Sequence, residues 1–185
     1  MLVGLLAALA LAGENAHQSW AAVFFEDVLG TGTDLSSTAP AMFAAVAAVT
    51  RFSTGRLNSA QATRTVILGA AAAAAGAALL AGSTNVATAW VGLAVAAAGT
   101  AVLYPTLLGV VSRASNAAAQ GRATSMLATI SYLGFLLGPV YVGLWSEAAG
   151  LRSAMIAVAA LGTLLLFLAP VLLRRVSTNS LLRKG

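Results

Sequence analysis

Three residues near the start of the chain carry the strongest chemical signal. Glu14, His17 and Gln18 are spaced by three and four, which places them on one face of a helix. Ala7, Ala10 and Ala21 share that face, so its side chains are small and leave room for water or a solute. A carboxylate at the centre of an apolar crossing costs at least ~2.5 kcal/mol unless it is solvated or paired. Glu14 is therefore a candidate for proton coupling or substrate binding, with His17 as its partner and Gln18 as a hydrogen-bonding group. A second reading stands beside this one. If the apolar segment ends early, Glu14 to Gln18 lie at the outer interface and are simply wet. The return to apolar residues at Ala21 to Phe25 favours the first reading.

Two further sets extend the candidate site. Ser125, Thr129 and Tyr132 fall at i, i+4 and i+7, and Thr100 and Tyr104 at i and i+4. With Gln18, the residues Thr100, Tyr104, Thr129 and Tyr132 would line a polar cavity. The alternative is hydrogen bonding between helices, worth about 0.6 kcal/mol per contact. Other chemistries find no residues. The chain has no cysteine and one histidine, so cysteine-ligated zinc, a thiol nucleophile and a site of several histidines are excluded. A serine-type intramembrane protease lacks a Gly-x-Ser-Gly stretch, and no His-Glu-x-x-His helix is present. No enzyme activity, metal or cofactor is expected.

The elements that must position these residues are membrane helices. Hydrophobic residues make up 59% of the 185 residues and charged residues 8%, against roughly 45–50% and 25% in soluble proteins. So few charges cannot cover a water-facing surface. Six apolar stretches are predicted, at about 1–25, 35–52, 65–81, 86–111, 123–145 and 153–173, followed by a tail over 174–185. Each is near the ~20 residues a helix needs to cross the hydrocarbon. None alternates with period two, and in lipid only helices satisfy such backbones. The connections are short, which predicts an all-α membrane protein, one six-helix bundle over 1–185.

Charge sets an expected orientation. Arg51, Arg56, Arg64, Arg113, Arg122, Arg174, Arg175, Arg183 and Lys184 sort to one side, and only Arg152 to the other. An excess of Lys and Arg marks the cytoplasmic face, so both termini are expected there, in a multi-pass protein of the cell membrane. The net charge of +5 does not point to nucleic acid, because the basic residues stand singly between apolar runs. Met1 to Gly13 has the apolar core of a signal peptide but no positive residue ahead of it, which argues against cleavage. Gly134 and Gly138, and the run Gly69 to Gly76, predict close helix contacts. Pro105 and Pro139 predict kinks. Trp20, Trp90 and Trp145 fit an interfacial belt.

Gly121-Arg122-Ala123-Thr124-Ser125, Tyr132-Leu133-Gly134-Phe135-Leu136-Leu137-Gly138-Pro139, Gly143-Leu144-Trp145-Ser146-Glu147-Ala148 and Gly150-Leu151-Arg152 together resemble the penultimate helix of major facilitator superfamily transporters and the loop after it. Gly99-Thr100-Ala101 with Tyr104-Pro105 is similar to the preceding helix, and Gly13-Glu14-Asn15 with Trp20 to the opening helix of the C-terminal half. The loop Thr54-Gly55-Arg56-Leu57 departs from the family's cytoplasmic motif in lacking an acid. The resemblance implies half of a fold built from two six-helix bundles, each with inverted three-helix repeats. It implies a transporter that moves a small-molecule solute through the lipid bilayer by alternating access, with an N-terminal six-helix half as partner and proton coupling as one option. The alternative is a permease or channel-like membrane subunit of a larger complex.

Overall fold

A computed structural model describes residues 2–54 and 61–182, the side chains of 175–182 excepted. All regular structure among the described residues is helical. In chain order these are α1 (Leu2–Val23), a π-helical turn (Phe24–Val28), α2 (Thr33–Ser36), α3 (Thr38–Thr54), α4 (Ala62–Gly82), α5 (Val86–Ala101), α6 (Leu103–Ala114), α7 (Ala117–Ala149) and α8 (Leu151–Leu182). Helices α5 and α6 form one rod interrupted at Val102. Six rods are thus described.

Four stretches are long and apolar enough to cross a membrane: Ala62–Gly82, Val86–Ala114, Ala117–Ala149 and Leu151–Arg174. Glu14, Asn15, His17 and Gln18 lower the hydropathy of α1, and α3 has 17 residues, just under the usual length of a spanning helix. The chain therefore has the character of a multi-pass membrane protein.

Local chemistry explains where the helices start and stop. Asn85 caps α5 by accepting from the Thr88 amide at 3.0 Å, and Asn116 caps α7 by accepting from the Ala119 amide at 2.9 Å. The second cap lets Ala117 to Gln120 join α7, which starts earlier than the apolar run. Gly30, with φ of +66°, turns the chain out of the π-helical segment. Helix α8 continues to Leu182, past the expected end at 173. Gly55, Arg56, Leu57, Arg183 and Lys184, which entered the loop motif and the charge sorting, lie outside the described residues.

Small residues set the closest helix contacts. A Cβ on Gly134 would collide with the Ala8 carbonyl, and one on Gly138 with the Ala12 carbonyl, so α1 and α7 meet backbone to backbone. Gly69, Gly76, Gly92 and Gly99 do the same for α4 and α5. Helix α1 is central, touching α3, α5, α6, α7 and α8, while α4 packs between α5 and α8.

Two apolar cores stack along this bundle. One gathers Val3, Leu6, Ala7, Ala10, Leu103, Leu107, Leu127 and Leu165 near the start of α1. The other gathers Ala16, Phe24, Phe25, Phe43, Leu80, Leu93 and Met155 near its end.

Polar side chains close the gaps that proline and helix ends leave in the backbone ladder. Pro139 has no N–H to offer the Phe135 carbonyl one turn back. Asn15 Nδ2 of α1 donates to that carbonyl at 2.7 Å, and Trp20 Nε1 donates to the Pro139 carbonyl at 3.1 Å. Trp20, expected as an interfacial anchor, thus also ties α1 to α7. Arg152 Nη1 donates to the carbonyls of Ala81 and Ser83 at 2.8 and 2.6 Å, which otherwise end α4 unpaired.

Candidate functional site

Glu14 sits between Ala10 of one core and Ala16 of the other, near the middle of α1. Its side chain is 7% exposed. A carboxylate at this depth needs a partner, and α3 supplies one. Arg51 Nη2 donates to Glu14 Oε1 at 2.6 Å, a charge-assisted bond between residues 37 positions apart. Arg51 closes the 35–52 stretch. It lies within α3, one turn from its end, and its side chain is 42% exposed.

The same guanidinium makes a second bond. Its Nε donates to the Ala101 carbonyl at 3.3 Å. Ala101 is the last residue of α5, and the residue four positions on is Pro105, which has no N–H to give it. The carbonyl freed by proline is therefore taken by an arginine from another helix. One planar side chain thus joins α1, α3 and the α5–α6 joint.

Gln18 Nε2 donates to Glu14 Oε1 at a long 3.4 Å. Glu14 Oε2 is buried with no hydrogen-bond partner among the described residues. The expected partnership of Glu14 with His17 takes a different form. His17 Nδ1 donates back to the Gly13 carbonyl at 2.7 Å, because long helical side chains lean toward the preceding turn. Its ring stacks on Phe43 of α3, with centroids 5.7 Å apart and planes 13° from parallel. His17 Nε2, like Glu14 Oε2, is buried without a partner. Two unanswered polar atoms on one helix face mark a place where a proton, water or solute group has bonds to gain.

The other candidates divide. Thr100, beside Ala101, is buried and donates to the Ala96 carbonyl of its own helix at 3.0 Å. Its hydroxyl is satisfied locally. Tyr104, half-buried, starts the α6 side of the joint and packs against the first core. Thr129 faces outward from α7 with its hydroxyl on the Ser125 carbonyl at 3.0 Å. Tyr132 is exposed and meets Phe135 edge-on at 6.2 Å. The structure joins Glu14, Gln18 and the neighbourhood of Thr100 and Tyr104 through Arg51. Thr129 and Tyr132 stand on the outer face of α7, where Tyr132 is near enough to Tyr104 of α6 for the two phenols to interact electrostatically.

Arg51, expected only as one of the charges on the cytoplasmic side, completes the site. Its signal is a cation at the end of the 35–52 run, in a chain whose sole acid inside an apolar run is Glu14. No group of three or more His, Cys, Asp or Glu able to hold a metal occurs among the described residues.

Comparison with known proteins gives the arrangement its family. No curated protein matches the chain. Among solved structures, a peptide transporter in a mutant form in complex with alafosfalin superimposes with a TM-score of 0.81 at 18% identity, covering 92% of this chain and 37% of that one. The same kind of transporter in complex with sulfate, mutant and unmutated, gives a TM-score of 0.82 at 18% identity over 92% of this chain and 36% of that one. The chain thus spans a little over a third of the solved transporters whose fold it shares. The Major Facilitator Superfamily pattern matches residues 2–185, and the chain belongs to that superfamily.

Proposed function

We propose that this chain forms one six-helix bundle of a secondary active transporter, which moves a small solute across the cell membrane by alternating access with proton coupling. The observation that carries the reading is the Glu14–Arg51 pair, 2.6 Å long and set where the two apolar cores meet. An ion pair at mid-bundle is costly to keep in lipid, and such residues mark ion and substrate pathways. Glu14 is the proton-accepting group. Arg51 is its charged partner, and Glu14 Oε2 is the open oxygen on which a proton adds. His17, Gln18, Thr100 and Tyr104 border the pair; Thr129 and Tyr132 belong to the outward face that a second bundle covers.

In this reading α1 and α3 cross the bilayer with the four more apolar rods. Both termini are cytoplasmic, in keeping with the basic residues Arg64, Arg113 and Arg122 at the same end of the bundle. A second six-helix half supplies the opposite wall of the cavity, because alternating access rocks one bundle against another. Superfamily membership favours this over a permease or channel-like subunit.

The test is Glu14→Gln in the complete transporter, reconstituted in vesicles with an imposed pH gradient and a panel of labelled solutes. Abundance and folding are expected to hold while proton-driven accumulation is largely lost. Wild-type accumulation by Glu14→Gln removes the coupling role.

A further inference from the structure

At Pro105 and Pro139, two of the prolines inside the rods, the backbone carbonyl freed one turn back is taken by a polar side chain from a different helix. At Pro139 the donor is Asn15, neutral, on a helix clamped to α7 by Gly134 and Gly138. That helix pair is close-packed, and α7 runs unbroken from Ala117 to Ala149. At Pro105 the donor is Arg51, which is charged and 42% exposed, and the rod is interrupted at Val102. Among the described residues no close glycine contact holds α3, while Gly69 of α4 packs against the Val102 and Leu103 side chains at the joint.

We propose that Pro105 is a positioning residue for the Glu14–Arg51 pair. By leaving the Ala101 carbonyl open, it gives the guanidinium a second, uncharged acceptor that fixes its plane against Glu14. The converse holds too: the charge on Glu14 keeps Arg51 on Ala101, and so sets the α5–α6 joint. A guanidinium is rigid, so Nε and Nη2 engage both acceptors at once. When Glu14 loses its charge, both acceptors of Arg51 are neutral and the guanidinium has an open side toward solvent. The Ala101 carbonyl then loses its donor and the joint loosens. The use of this linkage in transport rests on the reading of Glu14 given above; the linkage itself does not.

The chain has no cysteine, so spin labels at introduced cysteines report without background. Labels at Leu5 on α1 and Ala114 at the end of α6, both exposed, follow the swing of α6 in lipid nanodiscs. Over the ~18 Å of α6, a ~20° change at the joint moves its end by about 6 Å. Glu14→Gln is expected to broaden or shift the distance distribution by that order. In a Pro105→Ala background the new N–H satisfies Ala101, and Glu14→Gln is expected to leave the distribution unchanged. Arg51→Lys with Pro105 retained is expected to mimic Glu14→Gln, since one ammonium cannot span both acceptors. It serves alone if Pro105→Ala fails to fold. Equal broadening by Glu14→Gln in both backgrounds, or a wild-type distribution in Glu14→Gln or Arg51→Lys, overturns the proposal. These readings hold whether or not Glu14→Gln alters transport, so the two ideas fail separately.

Discussion

Removing either member of the Glu14–Arg51 pair breaks the same 2.6 Å bond, yet the two losses differ. Arg51→Gln strands a carboxylate whose side chain is 7% exposed and whose second oxygen has no partner. Breaking a buried pair from this side costs about 3–5 kcal/mol. The pair is buried at one end only, so the lower end of that range, about 3 kcal/mol, applies. The Ala101 carbonyl also loses its donor, which adds about 1 kcal/mol. Glu14→Gln instead strands a guanidinium that is 42% exposed. That group reaches water or lipid headgroups by extending its stem, and Gln at position 14 keeps an acceptor for it. The expected cost is about 1 kcal/mol. The double variant removes both charges and is expected to be less destabilised than Arg51→Gln alone. Unfolding in mixed detergent micelles, followed by helical circular dichroism, measures all three. If Glu14→Gln destabilises as much as Arg51→Gln, or the two effects add, the carboxylate is not held by Arg51 as described.

Two predictions concern the α1–α7 contact. Gly134→Ala adds a methyl that overlaps the Ala8 carbonyl and should cost about 1–3 kcal/mol, the price of overpacking, whereas Gly121→Ala meets open space and should be neutral in the same unfolding assay. Asn15→Ala leaves the Phe135 carbonyl without its donor and should cost about 1–3 kcal/mol. In a Pro139→Ala background, where the restored N–H fills that acceptor, the cost should largely vanish.

The helices and their rough extents were legible because an apolar run in lipid has one way to satisfy its backbone. Glu14 was legible for a related reason: a carboxylate in such a run violates the pattern that defines it. The close contacts at Gly134, Gly138 and the Gly69 to Gly76 run followed from residue size alone. The partner of Glu14 did not follow. Residue spacing along α1 pointed to His17, since periodicity reports only neighbours on the same helix. The side chain that answers Glu14 is 37 residues away on α3, and the contact exists only because α1 and α3 pack side by side. Charge sorting put Arg51 among the cytoplasmic-side residues, since composition does not say which way a side chain near a helix end turns.

Thr100, Thr129 and Tyr132 show the same limit from the other side. Their types and spacing suggested a shared cavity; spacing does not show that Thr100 and Thr129 bond their own preceding carbonyls, or that Thr100 is buried and Tyr132 exposed in this bundle. The prolines lie between the two cases. From sequence each predicts a missing hydrogen bond at a known carbonyl, Ala101 or Phe135. Whether that gap becomes a fixed bond or a joint depends on what the neighbouring helix brings to it, an amide held by close glycines or a guanidinium shared with a buried acid. That choice belongs to the tertiary structure, because it is made by atoms far apart in the chain that meet only when the bundle packs.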